Sequence, residues 1–306
     1  MPGAKQGISD KDPTLAQLLK PHGYVSGQFG KNHLGDRNEY LPTVHGFDEY
    51  AGVLYHLNAL EEPENVDYPK DPEFFKKFGP RNVIQTWATD KFDKTEDPRF
   101  GVVGKQKIKD LGPITIERMK TYDDETLAQS VDFMRRAVKD KKPFFVWHNT
   151  TRTHTFTHLR KKYADMIPEK GFYGAALTEL DDTVGALLKE LEDLGVADNT
   201  IVMFTSDNGP ETLNRYRGSH RSFGSPGPLR GMKLHMYEGG IRVPMIARWP
   251  GKIEPGTKTD HISAFWDVMP TIAEITGTKA PEQIDGISFA PTLFGKPVRL
   301  PVWNTM

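Results

Sequence analysis

The hydrophobic period of this chain switches repeatedly between helical and extended, and that alternation constrains its architecture more than any other feature. Between residues 174 and 194, Leu177, Leu180, Val184, Leu187, Leu188, Leu191 and Leu194 recur at helical spacing, and Gly195 supplies the stop. Asp198-Asn199-Thr200 turns the chain into Ile201-Val202-Met203-Phe204-Thr205, an unbroken apolar run of the kind covered on both faces of a parallel sheet. Earlier, Asp12-Pro13-Thr14 opens a short helix through Leu15, Leu18 and Leu19, with Pro13 near its first turn; His22-Gly23 ends it, and residues 24–29 read as a strand. Asp123-Asp124-Glu125 opens another helix, which stops at Lys142-Pro143 and feeds Phe144-Phe145-Val146-Trp147, read as a buried strand. Residues 243–247 and 267–275 predict a further strand and a short helix. The alternation predicts an α/β fold, a largely parallel sheet flanked by helices, with ligands at the carboxyl ends of the strands.

At 306 residues the chain reads as a single domain over 1–306. Within it, 55–121 is rich in Pro, Asp, Glu and Lys and is anchored by Tyr55, Tyr68, Phe74, Phe78, Trp87 and Phe92, so it is expected to form a polar cap or insertion. Lys+Arg 40 against Asp+Glu 41 leaves a net charge of −1, with no bulk attraction to nucleic acid or anionic lipid. No apolar run approaches the roughly 18 residues of a membrane span, so neither nucleic acid nor membrane is an expected partner. Residues 1–7 carry one basic residue and no apolar stretch, which reads as neither a secretory nor a transit signal and gives a cytoplasmic expectation for the chain as it stands. The absence of cysteine excludes disulfides, zinc-thiolate sites and a cysteine nucleophile within these residues.

Three polar clusters follow predicted strands. In Gly30-Lys31-Asn32-His33-Leu34-Gly35, two glycines let the backbone turn while a cation and an imidazole project together, which suits anion binding or proton transfer; a plain glycine turn is the competing reading. His148, His154 and His158 share one loop, candidates for metal ligation or acid catalysis against the commoner solvated loop histidine. In Ser206-Asp207-Asn208-Gly209 a carboxylate and an amide oxygen stand side by side, as a hard cation requires, or simply form an Asn-Gly turn. Lys233 then precedes Tyr237-Glu238-Gly239-Gly240-Ile241-Arg242-Val243-Pro244 and is either an anion ligand or a solvated lysine before a tight turn.

In combination and in this order, Gly30-Lys31-x-His33-Leu34-Gly35, Asp207-Asn208-Gly209, and Lys233 with Tyr237-Glu238-Gly239-Gly240-x-Arg242-Val243-Pro244 resemble the sulfatase family of the alkaline phosphatase superfamily. Asp12-Pro13-Thr14, His45-Gly46-Phe47-Asp48, Asp181-Asp182-x-Val184-Gly185, Asp198-Asn199-Thr200, Trp249-Pro250-Gly251-Lys252 and Asp285-Gly286-Ile287-Ser288 add to the resemblance. It implies a divalent metal, Ca²⁺ in the family, held by two aspartates near the amino terminus and a later Asp-Asn pair that Asp207 and Asn208 match. It further implies that Lys31 and Lys233 hold sulfate oxygens, that His33 supports the nucleophile, and that His154 protonates or orients the leaving group. His158, four residues on, competes with His154 as a substrate-binding residue, and Arg242 is expected to anchor the glycine turn.

The family's C/S-x-P/A-x-R motif, whose first residue becomes formylglycine, has no match here. Ser288-Phe289-Ala290 comes nearest, with Thr292 in the arginine position. The expectation is a sulfatase-like chain without formylglycine, lacking the family's first strand and most of a C-terminal subdomain. Its expected activity is metal-dependent hydrolysis of activated phosphate esters, aryl phosphotriesters or phosphodiesters, through metal-bound water, with weak or no sulfatase activity. Because His33, His148, His154 and His158 offer nitrogen, Zn²⁺ and Mn²⁺ stand beside Ca²⁺. The alternative is a noncatalytic remnant that binds small sulfate or phosphate esters. Uncovered sheet edges predict a homo-oligomer.

Overall fold

The computed structural model describes residues 3–55, 62–154, 157–211 and 226–296. Thr14 accepts from the Gln17 N–H and the Gln17 side chain answers at the Thr14 N–H, a capping box that starts α1 (Leu15–Leu19) and leaves Pro13 ahead of the cap rather than in the first turn. Gly23, left-handed at φ 81, ends the helical stretch and releases β1 (Val25–Gly30).

β1 is the centre of a five-stranded sheet. It pairs in parallel with β2 (Glu49–Gly52) on one side and with β5 (Phe144–Asn149) on the other. Beyond β2, the sheet continues through β3 (Ile84–Asp97) and β4 (Gly101–Asp110), both antiparallel to their neighbours, giving the order β4-β3-β2-β1-β5. The three parallel strands bear out the expected α/β sheet; the two reversed ones arise inside the polar 55–121 stretch, between α2 (Pro72–Phe78) and α3 (Ile116–Met119).

α4 (Tyr122–Lys139) carries Asp123, Asp124 and Glu125 in its first turn and Arg136 and Lys139 in its last, a charge order that complements the helix dipole. It lies over β5, β1 and β2, where Phe133 meets Phe29 at 5.6 Å between ring centroids and Ala51 closes the cluster. The opposite face of the sheet packs Leu41, Tyr50, Leu54 and Ile84. Each large side chain buried this way is worth about 1.5–3 kcal/mol, so β1 is held from both sides.

After α5 (Lys161–Ala164), the long helix α6 (Ile167–Asp193) begins ahead of its predicted start, because left-handed Gly171 (φ 67) kinks the helix without ending it. Arg135 of α4 holds Glu190 of α6 at 2.7 Å, so the two helices form one layer. β6 (Val202–Thr205) follows and departs from expectation: it pairs antiparallel with β7 (Met245–Arg248), past α7 (Glu238–Ile241), and is only half-buried. β5 is likewise half-buried rather than enclosed, with Trp147 47% exposed, because it ends the larger sheet. An apolar run records that a strand is meant to be covered, and it does not record by what. α8 (Val268–Thr276) and α9 (Ala290–Leu293) complete the described elements.

Candidate active site

The first half of the site grows from the end of β1. Gly30 has φ 103, and a Cβ there would lie 1.7 Å from the Asn149 carbonyl oxygen, so only glycine lets β1 and β5 stay paired to their ends. Asn149 at the end of β5 donates through Nδ2 to the Lys31 carbonyl at 2.8 Å, which fixes the turn that aims Lys31 and His33. Lys31 is largely desolvated, and that burial pulls its pKa below the usual 10.5, against the attraction of Asp207. His33, half-buried, is shifted below the usual 6.5 by desolvation first and then by Lys31, so its imidazole is neutral at pH 7. Its ring stands edge-on to Tyr55 at 5.2 Å. Beside it opens a recess of ≈ 530 Å³ lined in part by Gln6, Asp12, Leu34 and Tyr55.

The second half comes from β6 and the segments after it. Lys31 Nζ reaches Asp207 Oδ2 at 4.0 Å, which joins the two halves. Gly209 donates its N–H to the Gly240 carbonyl at 2.8 Å, and a Cβ on Gly209 would fall 1.9 Å from the Gly239 oxygen; the Asp-Asn-Gly turn and the Gly239-Gly240 pair therefore fit each other's backbones. Lys233 is anchored through its N–H to the Pro210 carbonyl at 2.8 Å. Its Nζ lies 3.3 Å from His154 Nε2 and 3.6 Å from Glu211 Oε2. Arg242 pairs with Glu238 at 3.3 Å in an exposed position.

Lys31, His33, His154, Asp207 and Lys233 are thus brought together. The two histidine candidates of the loop after β5 separate: His154 is the one beside Lys233, whereas His158 is half-buried and its carbonyl accepts from Arg152 at 2.9 Å. His148 does not belong to the site. It sits opposite Phe29 in register, faces α4, and shares a 2.8 Å hydrogen bond between Nδ1 and Ser130 Oγ, buried where the alternation of the strand puts it.

Three residues without a role in the sequence reading matter here. Arg152, fully buried, bonds Glu179 at 3.0 Å, Thr157 at 2.9 Å and Thr151 at 2.7 Å and lies 3.6 Å from Asp123, pinning the loop that carries His154. Glu211 and Tyr55 flank Lys233 and His33. A buried arginine among loop polar residues is the only one of the three with a local signal, since Glu211 and Tyr55 join the site through folding alone.

The metal implied by the resemblance finds an incomplete donor set. Asp207 and Asn208 supply oxygens suited to a hard cation, but such a cation takes about six to eight ligands. Here Asn208 Nδ2 donates to Asp207 Oδ1, and Lys31 is the other neighbour of that carboxylate. Among the described residues no group of three or more His, Asp or Glu is placed to hold an ion. The nitrogen-rich set that favoured Zn²⁺ or Mn²⁺ is not assembled, because His148 points into the helix layer. No chemical step below therefore passes through a metal.

This cradle, two lysines and two imidazoles at the strand ends of an α/β sheet, is that of an oxyanion-ester enzyme fold. The sulfatase family profile matches residues 2–278, and the chain belongs to the sulfatase family. It is 31% identical to human N-acetylgalactosamine-6-sulfatase over 94% of this chain and 49% of that protein. It is 31% identical to human arylsulfatase A over 96% of this chain and 54% of that one. A solved sulfatase from Pseudoalteromonas sp. superposes with a TM-score of 0.77 at 27% identity, covering 98% of this chain and 59% of the other. The chain thus spans about half the length of the curated relatives it matches.

Proposed function

We propose that this chain binds the oxyanion of small sulfate or activated phosphate esters between Lys31 and Lys233 and hydrolyses them. The observation that carries the reading is the meeting of the two halves, Lys31 beside Asp207 and Lys233 beside His154, over a recess adjoining His33. Two ammonium groups neutralise the non-bridging oxygens, and charge-assisted bonds of this kind are the strong ones. His33, kept neutral, accepts a proton from attacking water; His154, released from Lys233 when that lysine turns to the ester, donates one to the leaving oxygen. The alcohol portion occupies the recess lined by Tyr55 and Gln6. A sugar or aryl alcohol is favoured, as the names of the relatives, N-acetylgalactosamine-6-sulfatase and arylsulfatase, describe for those proteins.

A second reading, binding without turnover, is favoured by one specific observation: no C/S-x-P/A-x-R motif occurs in this sequence. Association between copies is proposed at the open edge of β5 and the face of β7, where Trp147, Met245 and Ile246 are 47%, 40% and 62% exposed. One experiment addresses all three points. The purified chain is assayed with an aryl sulfate, an aryl phosphotriester and an aryl phosphodiester, before and after chelation and with Ca²⁺, Mn²⁺ or Zn²⁺ restored, and its mass is followed by sedimentation. Turnover supports the hydrolase; anion binding with no turnover under any ion selects the second reading; a monomer at all concentrations removes the association.

A further inference from the structure

α4 covers one face of β5, β1 and β2 and stops there, so that β3 and β4 show the same face uncovered. Side-chain alternation settles what this shelf presents. Ile84, Thr86, Gln106 and Ile108 point to the opposite face, where Ile84 and Ile108 join Leu41 and Tyr50 and Gln106 meets Thr43. Trp87, Lys105, Lys107 and Lys109 therefore point to the open one. The three lysines are exposed, and among the described residues none is in an ion pair. The nearest carboxylate on that face, Glu49, is already bonded to Arg136 at 2.7 Å and to Gln85 at 2.9 Å. Asp110 belongs to the other face by the same alternation.

Register places the shelf relative to the site. Phe29, Ala51, Gln85 and Lys109 form one row across the sheet, and Gly27, Glu49, Trp87 and Lys107 the next. Lys109 is thus level with the residue two before Lys31, about 14 Å away across three strand spacings, and the lysines follow one another at about 7 Å along β4. Lysines on an edge strand also discourage edge-to-edge pairing. That role does not call for a half-buried indole directly across from Lys107, and Trp87 makes no ring stack with another described residue.

We propose that this shelf is a second binding surface, distinct from the ester site, for a sulfated polysaccharide chain: a sugar ring lies on Trp87 while Lys105, Lys107 and Lys109 meet successive sulfates. Single-stranded nucleic acid uses the same pairing of aromatic ring and lysine. The polysaccharide is favoured because the shelf shares its sheet end with a cradle for sulfate esters and the net charge of −1 gives nucleic acid no general attraction. The choice of a sulfated ligand rests on the proposed function; the existence of the shelf does not.

The test measures binding of the full chain to size-defined dextran sulfate, neutral dextran of equal length and oligothymidylate at several salt concentrations. Lys105→Gln, Lys107→Gln and Lys109→Gln are combined in one variant; Trp87→Ala is a second, and Lys31→Met with Lys233→Met a third. Exposed pairs contribute about 0.2–1 kcal/mol each, so the triple variant is expected to lose roughly tenfold or more in dextran sulfate affinity. It should keep its affinity for inorganic sulfate, and Trp87→Ala should weaken the polymer without changing the salt dependence. The third variant should show the reverse: inorganic sulfate lost, polymer retained. Unchanged polymer binding in the triple variant overturns the proposal, as does oligothymidylate binding at equal strength with the same loss. Failure of inorganic sulfate to bind at all, with polymer binding intact and lysine-dependent, overturns the ester site and leaves the shelf standing.

Discussion

The two halves of the site are built on unlike foundations. Lys31 and His33 leave a strand buried through its whole length, with α4 on one face and the Leu41–Tyr50 cluster on the other. Asp207 and Lys233 leave a two-stranded ribbon whose residues are half-buried or exposed. The first half is preorganised by the core. The second is held by backbone joints, Gly209 to Gly240, Lys233 to Pro210 and Gly239 to Arg230, and by its contact with the first. Perturbing the first half should therefore cost stability and function together, while the second should yield function at little cost to the fold.

The sharpest break lies at Arg152. Its guanidinium is fully buried with Glu179 and near Asp123, and removing one member of a buried ionic network leaves uncompensated charge, at a cost of about 3–5 kcal/mol. Arg152→Met should shift the denaturant midpoint by that amount or abolish soluble expression; a loss under 1 kcal/mol would mean that the His154 loop is not pinned as described. Next comes Gly30→Ala, which meets both a left-handed φ and a backbone clash with Asn149, against Gly104→Ala, where φ is 79 and nothing lies within 4 Å. Gly104→Ala should cost about 1–2 kcal/mol from conformation alone, and Gly30→Ala should cost clearly more while also lowering sulfate affinity. Equal effects in the two variants would remove the close approach of β1 and β5 from the account.

The smallest effect is a pH dependence. Burial holds the pKa of His148 below the usual 6.5, with Asp123 opposing, and His148 Nε2 is buried without a hydrogen-bond partner. The unfolded chain takes up a proton near 6.5 that the folded chain refuses until lower pH. Stability from this group is therefore complete above 6.5 and falls as the pH drops below it, by at most about 1.4 kcal/mol per pH unit. His33, shifted the same way, adds to the trend. Unfolding midpoints at pH 7.5 and 5.5 should fall further in the native chain than in His148→Phe; identical falls would place the acid sensitivity elsewhere.

Much of this fold was legible because its elements carry local marks. Thr14 with Gln17, the acidic first turn of α4, and Gly23 and Gly195 all announce helix ends within a few residues. Motif residues outside the site proved equally concrete as joints: Thr14 Oγ bonds the His45 carbonyl at 2.7 Å, Asp48 takes the Ser26 N–H at 2.8 Å, and Trp249 reaches the Asp198 carbonyl at 2.9 Å. What stayed hidden was nonlocal. The antiparallel pairing of β6 with β7 depends on a partner some forty residues away in the chain. The choice of His154 over His158 beside Lys233 depends on how the loop folds around Arg152, and the rejection of His148 depends on which face of β5 meets α4. The lysine row on β4 was equally silent, because alternate lysines acquire meaning only when one sheet face is left uncovered.

The central claim is that both halves close on one anion, and a double-mutant cycle with inorganic sulfate tests it most directly. Calorimetric dissociation constants would be compared for the native chain, Lys31→Met, Lys233→Met and the pair. A hydrogen bond to a charged group contributes about 1.5–3 kcal/mol, so each single variant should weaken sulfate by tenfold or more, and the double variant should lose less than the sum because the lysines share a ligand. Sulfate bound with equal affinity by all four proteins would contradict the account.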